Sequence, residues 1–508
     1  MINLLPPAKK VFVNPDFKML RMLTEAMPNA KMTAFHNFNI QTRVTARSAK
    51  STFIVSDVEV RQPRIGSQEY SRWAEIQDAY IKNQSMIRID GNIATESALQ
   101  TPCCLYIEAA NANIAAMQKQ LFFPLLGEGY PKFNIIYTPN LPAEGFPDQR
   151  LILVNLDTFT TRIFGSDYFG ESKKGALRMW NKCAYDNGGL ALHAGCKIFP
   201  EVNEVEKLML IVGLSGTGKT TTTFRQQFNS LPVQDDFCAL LPKGKVISSE
   251  NGCFAKTFGL DPAEEPSIYN ALARDSAWLE NVAMRADGSV DYYDGTYTTN
   301  GRGTFPLEDI PHRSPKNLPP VSAIVFLNRN LNIIPAVAKL NLNQAAAYFM
   351  LGESTGTSAG GAAEEGKFLR IPGTNPFFPM DDSLQGNRFL DLIRSSPDLQ
   401  IYLMNTGRIG GGEQNADSIK VKIRDSSAIL SGIIANSINW TSDADFGYEL
   451  ALQVPGIDDP RLLNPKLLYT QQNRLAEYVS LIEHIKSQRN QYLNHFVNLY
   501  PEITNSLH

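Results

Sequence analysis

The chain has 508 residues, 43% of them apolar and 19% charged, a composition that suits a soluble globular protein of two or three domains. Its net charge of −3 gives no general pull towards nucleic acid or an anionic membrane. No uninterrupted apolar stretch approaches the roughly 20 residues needed to cross a bilayer, and the six cysteines lack paired metal-ligand spacing, so reduced thiols in a cytoplasmic protein are expected.

Residues 1–7 carry no charged-then-apolar signal pattern, and residues 1–40 are mixed. Residues 45–55 form a small basic turn running into a strand; Arg47 within it, taken alone, reads as a surface residue. Between 70 and 165 strand-like and helix-like stretches alternate. Residues 103–107, 133–137 and 151–155 are β-rich, and residues 109–123 read as a helix burying Ile114, Met117 and Leu121, with turn residues at 139–142. This pattern predicts an α/β domain. After Tyr168 come the adjacent Lys173 and Lys174, which alone read as solvated surface. His193 sits in an apolar run, where a histidine is more often a hydrogen-bonded core residue than a ligand.

The most specific stretch is Gly213, Leu214, Ser215, Gly216, Thr217, Gly218, Lys219 and Thr220, which fits the phosphate-loop pattern G-x-x-x-x-G-K-[ST] at every fixed position and continues into Thr221. An apolar run at 208–212 precedes it as a buried strand, and the threonines at 220–223 can open a helix. Glycines let backbone N–H groups turn towards one point, where a helix N-terminus adds positive potential. Lys219 would reach the terminal phosphates and the Thr220 hydroxyl would ligate Mg²⁺.

Beyond the loop, Asp235 and Asp236 follow a short apolar run; they read either as an acidic turn or as carboxylates serving one or two cations. Residues 321–327 are another buried-strand candidate. Residues 352–366 are glycine-rich, a mobile lid or a flexible surface linker. Residues 401–407 read as a strand entering a turn, 420–427 as a basic strand, and 471–500 as a helical tail whose Leu475, Val479, Ile482 and Ile485 are spaced for packing.

Taken together these stretches resemble the ATP-dependent phosphoenolpyruvate carboxykinase family. The resemblance runs with gaps from about residue 42 to 430, on the ordered set Arg47, Tyr168, Lys173–Lys174, His193, the loop at 213–221, Asp235–Asp236, Glu265–Pro266 and Arg302. It implies a two-domain α/β fold with a phosphate-loop C-terminal domain. Residues 1–188 would form the substrate-side domain, and 189–508 the nucleotide- and metal-binding domain with its helical tail. It further implies conversion of oxaloacetate and ATP to phosphoenolpyruvate, CO₂ and ADP, with Mg²⁺ on the nucleotide and Mn²⁺ on the protein.

By the same resemblance Lys174, His193 and Asp236 ligate the protein-held metal, a lysine doing so only when neutral. Lys173 and Arg302 stabilise negative charge on the enolate and the transferring phosphate. Arg47 takes a substrate carboxylate, Tyr168 lies by the substrate, and Asp235 supports Mg²⁺ with Thr220. Glu265 belongs at the nucleotide site. Lys420 stands where the family has an arginine beside the base, on an alignment anchored at Asp425 and Ser426. The chain departs from the family at Ala46, Ala49, Phe169, Ser172, Gln234, Phe237 and Cys238, and echoes the family's lid only at Gly352 and Ala359–Gly360. A diverged kinase for another small carboxylate is the second reading. A nucleotide-binding regulator is the third, opposed by retention of both lysines, His193, both aspartates and Arg302.

Overall fold

In a computed structural model, which describes residues 5–60, 62–125, 132–202, 205–214, 216–356, 367–396 and 398–507, the apolar runs become the central strands of two mixed sheets. Each sheet belongs to one of two compact units. The first unit comprises Met1–Asn187, Ser249–His312 and Phe377–Met380; the second comprises Gly188–Ser248, Arg313–Pro376 and Asp381–His508.

Among the described residues, the large sheet of the first unit has eight strands. Their order is Lys10–Val13, Ser85–Ile93, Thr101–Glu108, Phe133–Thr138, Thr160–Phe164, Leu151–Asn155, Thr52–Val55 and Arg64–Ile65. Phe133–Thr138 and Leu151–Asn155 are buried along their whole length, as central strands covered on both faces must be. The helix predicted at 109–123 is a 3₁₀ turn followed by an α-helix, Ala112–Leu121, which is buried on nearly every side rather than on one face. A second sheet runs Gly252–Lys256, Arg302–Pro306, Trp278–Glu280, Phe38–Ile40 and Ala30–Met32. The long helix Phe169–Asp186 buries almost its whole first half, both lysines included. The surface reading of that pair is therefore wrong: in a helix successive side chains point about 100° apart, and here both directions lead inward.

The second unit's main sheet has the order Leu231–Gln234, Ala194–Val202, Val205–Val212, Val321–Asn328, Gln400–Asn405, Val337–Leu340, Glu449–Gln453 and Asn439–Ser442. Val205–Val212 pairs in parallel with Val321–Asn328, and that strand in parallel with Gln400–Asn405. Met209, Ile211, Val325, Tyr402 and Met404 build the core against Ile429 and Ile433.

Those last two residues correct an expectation. Residues 420–427 are not one basic strand: a two-residue strand, Ile419–Lys420, gives way to a helix, Ile423–Ile434. The Asp425 carboxylate accepts the Lys422 N–H at 2.8 Å, which holds the first turn, and Ile429, Leu430, Ile433 and Ile434 recur at helical spacing. The tail helix, Leu475–Leu493, is present, but its buried seam is Tyr478, Ile482, Arg489 and Leu493, while Leu475 and Val479 are exposed. Arg489 and Tyr478 form polar contacts inward, so counting apolar residues missed half the seam. Of the glycine-rich segment, Glu353–Thr355 pairs with Phe368–Arg370; residues 357–366, with the lid reading placed on them, lie outside the described residues, as does Ser215. The six cysteines are buried. Among the described residues no helix is long and apolar enough to cross a membrane.

Candidate active site

Three neighbouring strand ends meet at one edge of the second unit's sheet. Ala194 pairs with Val212 and Cys196 with Gln234, so His193, the glycine-rich loop and Asp235–Asp236 emerge side by side. Gly216 and Gly218 have φ of +86° and +94°, a backbone that side chains other than glycine's rarely accept. The Thr217 hydroxyl donates to the Leu214 carbonyl at 2.8 Å. The helix Lys219–Phe224 then begins directly, which puts Lys219 and Thr220 in its first turn.

Lys219 Nζ lies 2.9 Å from Asp236 Oδ1 and 3.2 Å from the Asp236 carbonyl oxygen. His193 Nε2 lies 2.9 Å from the same Oδ1. His193 Nδ1 is 2.8 Å from the Thr374 carbonyl. A carbonyl only accepts, so Nδ1 carries a proton and Nε2 faces the carboxylate. A ring nitrogen held this way by a backbone carbonyl has the orientation of a metal-ligating histidine, and a cation between Nε2 and Oδ1 suits both atoms. The Thr220 hydroxyl is 3.4 Å from Asp235 Oδ2. Among the described residues no three His, Cys, Asp or Glu side chains are grouped for a metal. Lys197, in the strand Ala194–Val202 and wholly buried, donates to the carbonyls of Thr222 at 3.0 Å and of Arg225, and to Gln227 Oε1 at 2.5 Å. It closes the C-terminal end of the loop helix. Burial, reinforced by Arg225, pulls its ammonium down to about 7.

In the first unit, Asn300 ties two expected residues, Arg302 and Tyr168, to the loop that carries Arg47. Its side-chain oxygen accepts Arg302 Nε at 3.1 Å and Nη2 at 2.9 Å. Its amide nitrogen donates to the Thr45 carbonyl at 2.6 Å, beside Arg47, and to the Tyr168 hydroxyl at 3.4 Å. Burial pushes the Tyr168 phenol up, with Arg302 opposing. Lys173 Nζ meets Glu250 Oε2 at 2.8 Å, both side chains buried. Lys174 Nζ lies 4.6 Å, and the Arg47 guanidinium carbon 5.0 Å, from the centroid of Phe377. At the N-terminus of the lysine-bearing helix, Glu280 Oε1 accepts the Phe169 N–H at 3.0 Å. Burial pushes the Glu280 carboxyl up to about 8.

The remaining expected residues are more peripheral. Glu265 is half-buried and precedes the helix Pro266–Leu272 of the first unit. Lys420 is exposed, paired in register with Arg408, and Ser426 is buried in the helix Ile423–Ile434. Reading the sequence missed Asn300, Glu250, Glu280 and Lys197. Only Lys197 carries a signal, as a charged residue inside the apolar run 194–199.

The fold and these residues define a two-unit α/β protein with a glycine-rich strand-to-helix loop closed on an acidic residue. The sequence matches phosphoenolpyruvate carboxykinase over residues 9–460, and the chain belongs to that family. Relatives include the phosphoenolpyruvate carboxykinase (ATP) of Sinorhizobium fredii, 28% identical over 89% of this chain and 87% of the relative. That of Aeropyrum pernix is 30% identical over 76% of each chain, and that of Campylobacter jejuni 33% over 67% of this chain and 64% of the relative.

Proposed function

We propose that the protein is an ATP-dependent phosphoenolpyruvate carboxykinase acting in gluconeogenesis. The C3–C4 bond of oxaloacetate breaks to release CO₂, and its electrons form an enolate. The enolate oxygen bonds to the γ-phosphorus of ATP as the bond to ADP breaks, leaving phosphoenolpyruvate. The observation that carries this reading is the family match over residues 9–460. Convergence of Lys219, Asp236 and His193 at one sheet edge supports it.

In this reading the second unit holds the nucleotide on the loop at 213–221, with Lys219 on the phosphates and Thr220 and Asp235 on Mg²⁺. Glu265, Lys420 and Ser426 belong to the nucleotide site. His193 and Asp236 supply two donors for Mn²⁺, and Lys174, once neutral, the third. When bound, the two cations neutralise charge on the phosphates and the enolate. The first unit binds oxaloacetate: Arg47 takes a carboxylate with two parallel N–H donors, Tyr168 lies against the substrate, and Arg302 and Lys173 stabilise the developing negative charge. Asn300 positions Arg302, and Glu250 engages Lys173. The site is proposed for the cytoplasm.

The test is loss of oxaloacetate with formation of phosphoenolpyruvate, run with ATP or GTP and with Mg²⁺ alone or with Mn²⁺. ATP-dependent product with Mn²⁺ stimulation is expected. ATP turnover with another small carboxylate but not with oxaloacetate would give the protein to the kinase reading instead.

A further inference from the structure

One cation of the first unit has no place in the reaction as set out above. Arg178 lies one turn beyond Lys174 on the helix Phe169–Asp186, and Glu171, Lys174 and Arg178, at i, i+3 and i+7, share one face. The Arg178 guanidinium carbon lies 5.5 Å from the centroid of Phe377, the ring that Arg47 also covers at 5.0 Å. Arg178 is 5% exposed. Its Nη1 is buried and, among the described residues, has no hydrogen-bond partner. Its nearest acid is Glu171, whose Oε2 is 3.8 Å from Nη2, too far for a hydrogen bond. Glu171 is already engaged on its other oxygen by the Ser48 N–H at 2.6 Å, which ties the Arg47 loop to the same helix face.

Two guanidiniums, which stay charged, therefore share one aromatic ring with a single carboxylate. An arginine buried to this degree without full pairing is costly. Burial pulls its guanidinium down, with Glu171 opposing and the neighbouring Arg47 adding a smaller push in the same direction as burial. Arg47 is half-buried and so within reach of solvent, while Arg178 beside the same ring is buried.

We propose that Arg178 is a further substrate-binding residue, which with Arg47 clamps one carboxylate of a small dicarboxylic acid against Phe377. The proposal rests on the carboxykinase reading for the identity of the acid, oxaloacetate, but not for the pocket itself. The excess positive charge selects a substrate with a carboxylate to place there, and a neutral isostere would leave the two guanidiniums unpaired.

The experiment compares wild type with Arg178→Met, Arg178→Lys and the double variant Arg178→Met/Glu171→Gln, which leaves no unpaired buried carboxylate. Two readouts are taken: KM for oxaloacetate and for ATP in the coupled assay, and equilibrium binding of malonate by calorimetry on the enzyme without nucleotide. Arg178→Met should raise the oxaloacetate KM roughly 10–100-fold, the loss of one charge-assisted hydrogen bond, and weaken malonate binding to match. The ATP KM should stay within about twofold, and Arg178→Lys should recover part of the loss. If Arg178→Met does not fold, the double variant is read in its place. Oxaloacetate KM and malonate affinity within about twofold of wild type would overturn the assignment. So would recovery of both in the double variant, because Arg178 would then serve only to neutralise Glu171. Malonate binding that depends on Arg178 in a protein that does not turn over oxaloacetate would uphold the pocket and defeat the carboxykinase reading.

Discussion

Replacing Glu353 by glutamine should unfasten the tail helix. The Glu353 carboxylate accepts Arg489 Nε at 3.1 Å on each oxygen and Nη2 at 2.6 Å, and Arg370 Nε at 3.1 Å and Nη2 at 2.9 Å. Burial alone would raise this acid, but Arg489 and Arg370 outweigh it and hold it below the ordinary carboxylate value. Glutamine keeps the shape and one acceptor oxygen but not the charge. Arg489, whose side chain is 1% exposed, then retains a charge it cannot shed, facing a neutral amide oxygen and the Tyr348 hydroxyl at 3.0 Å in place of a carboxylate. Arg370, with 14% of its side chain exposed, can turn to solvent and adds little. Breaking a buried pair from one side costs about 3–5 kcal/mol. At about 1.4 kcal/mol per decade, amides of the helix Leu475–Leu493 should lose roughly two to four decades of hydrogen-exchange protection. The double change Glu353→Leu/Arg489→Met should recover most of it, because an apolar pair of similar size replaces a buried ion pair at little cost. The pH dependence follows from the depressed acid. Its contribution is fully present above the unfolded value of about 4.3 and is lost as pH falls through the folded value, so wild type and variant should converge in acid. Protection within tenfold of wild type at pH 7, or a gap that does not narrow as pH falls, would refute the reasoning.

Lys219→Ala should abolish phosphoryl transfer with an unchanged circular dichroism spectrum; collapse of that spectrum would make Lys219 a structural partner of Asp236 and nothing more. His193→Ala should weaken activation by Mn²⁺ while sparing Mg·ATP binding, and equal loss of both would contradict the separate donor sets. Glu280→Gln bears on pH. A carboxyl held near 8 keeps a proton that the unfolded chain releases above about 4.3, so this group costs stability progressively as pH rises from about 5 to 8. The variant should flatten that fall in unfolding midpoint, and an identical slope in both proteins would rule out a buried neutral acid.

Residues 208–212 become the inner part of the strand Val205–Val212 because a continuous apolar run has few stable settings other than a sheet interior. The glycines at 216 and 218 occur where the chain takes positive φ, and that requirement is written into the residue type itself. Residues 420–427 read locally as a strand yet open a helix at Ile423, because their basic residues hide the helical spacing that starts at Ile429.

Pairing between charges was not legible. Glu353 and Arg489 are 136 positions apart, Lys173 and Glu250 are 77 apart, and Asn300 reaches back 255 positions to Thr45; nothing local marks such partners. Adjacent Lys173 and Lys174 read alike in sequence, yet the helix turns one to Glu250 and the other to Phe377. The sequence by itself determined the glycine-rich loop and the strands that flank it, because backbone conformation and burial of apolar runs are set by neighbours along the chain. Only the tertiary structure decided which cations are neutralised and which, like Arg178, keep a buried N–H with no partner among the described residues, because a charge is satisfied by whatever the fold brings within about 4 Å of it.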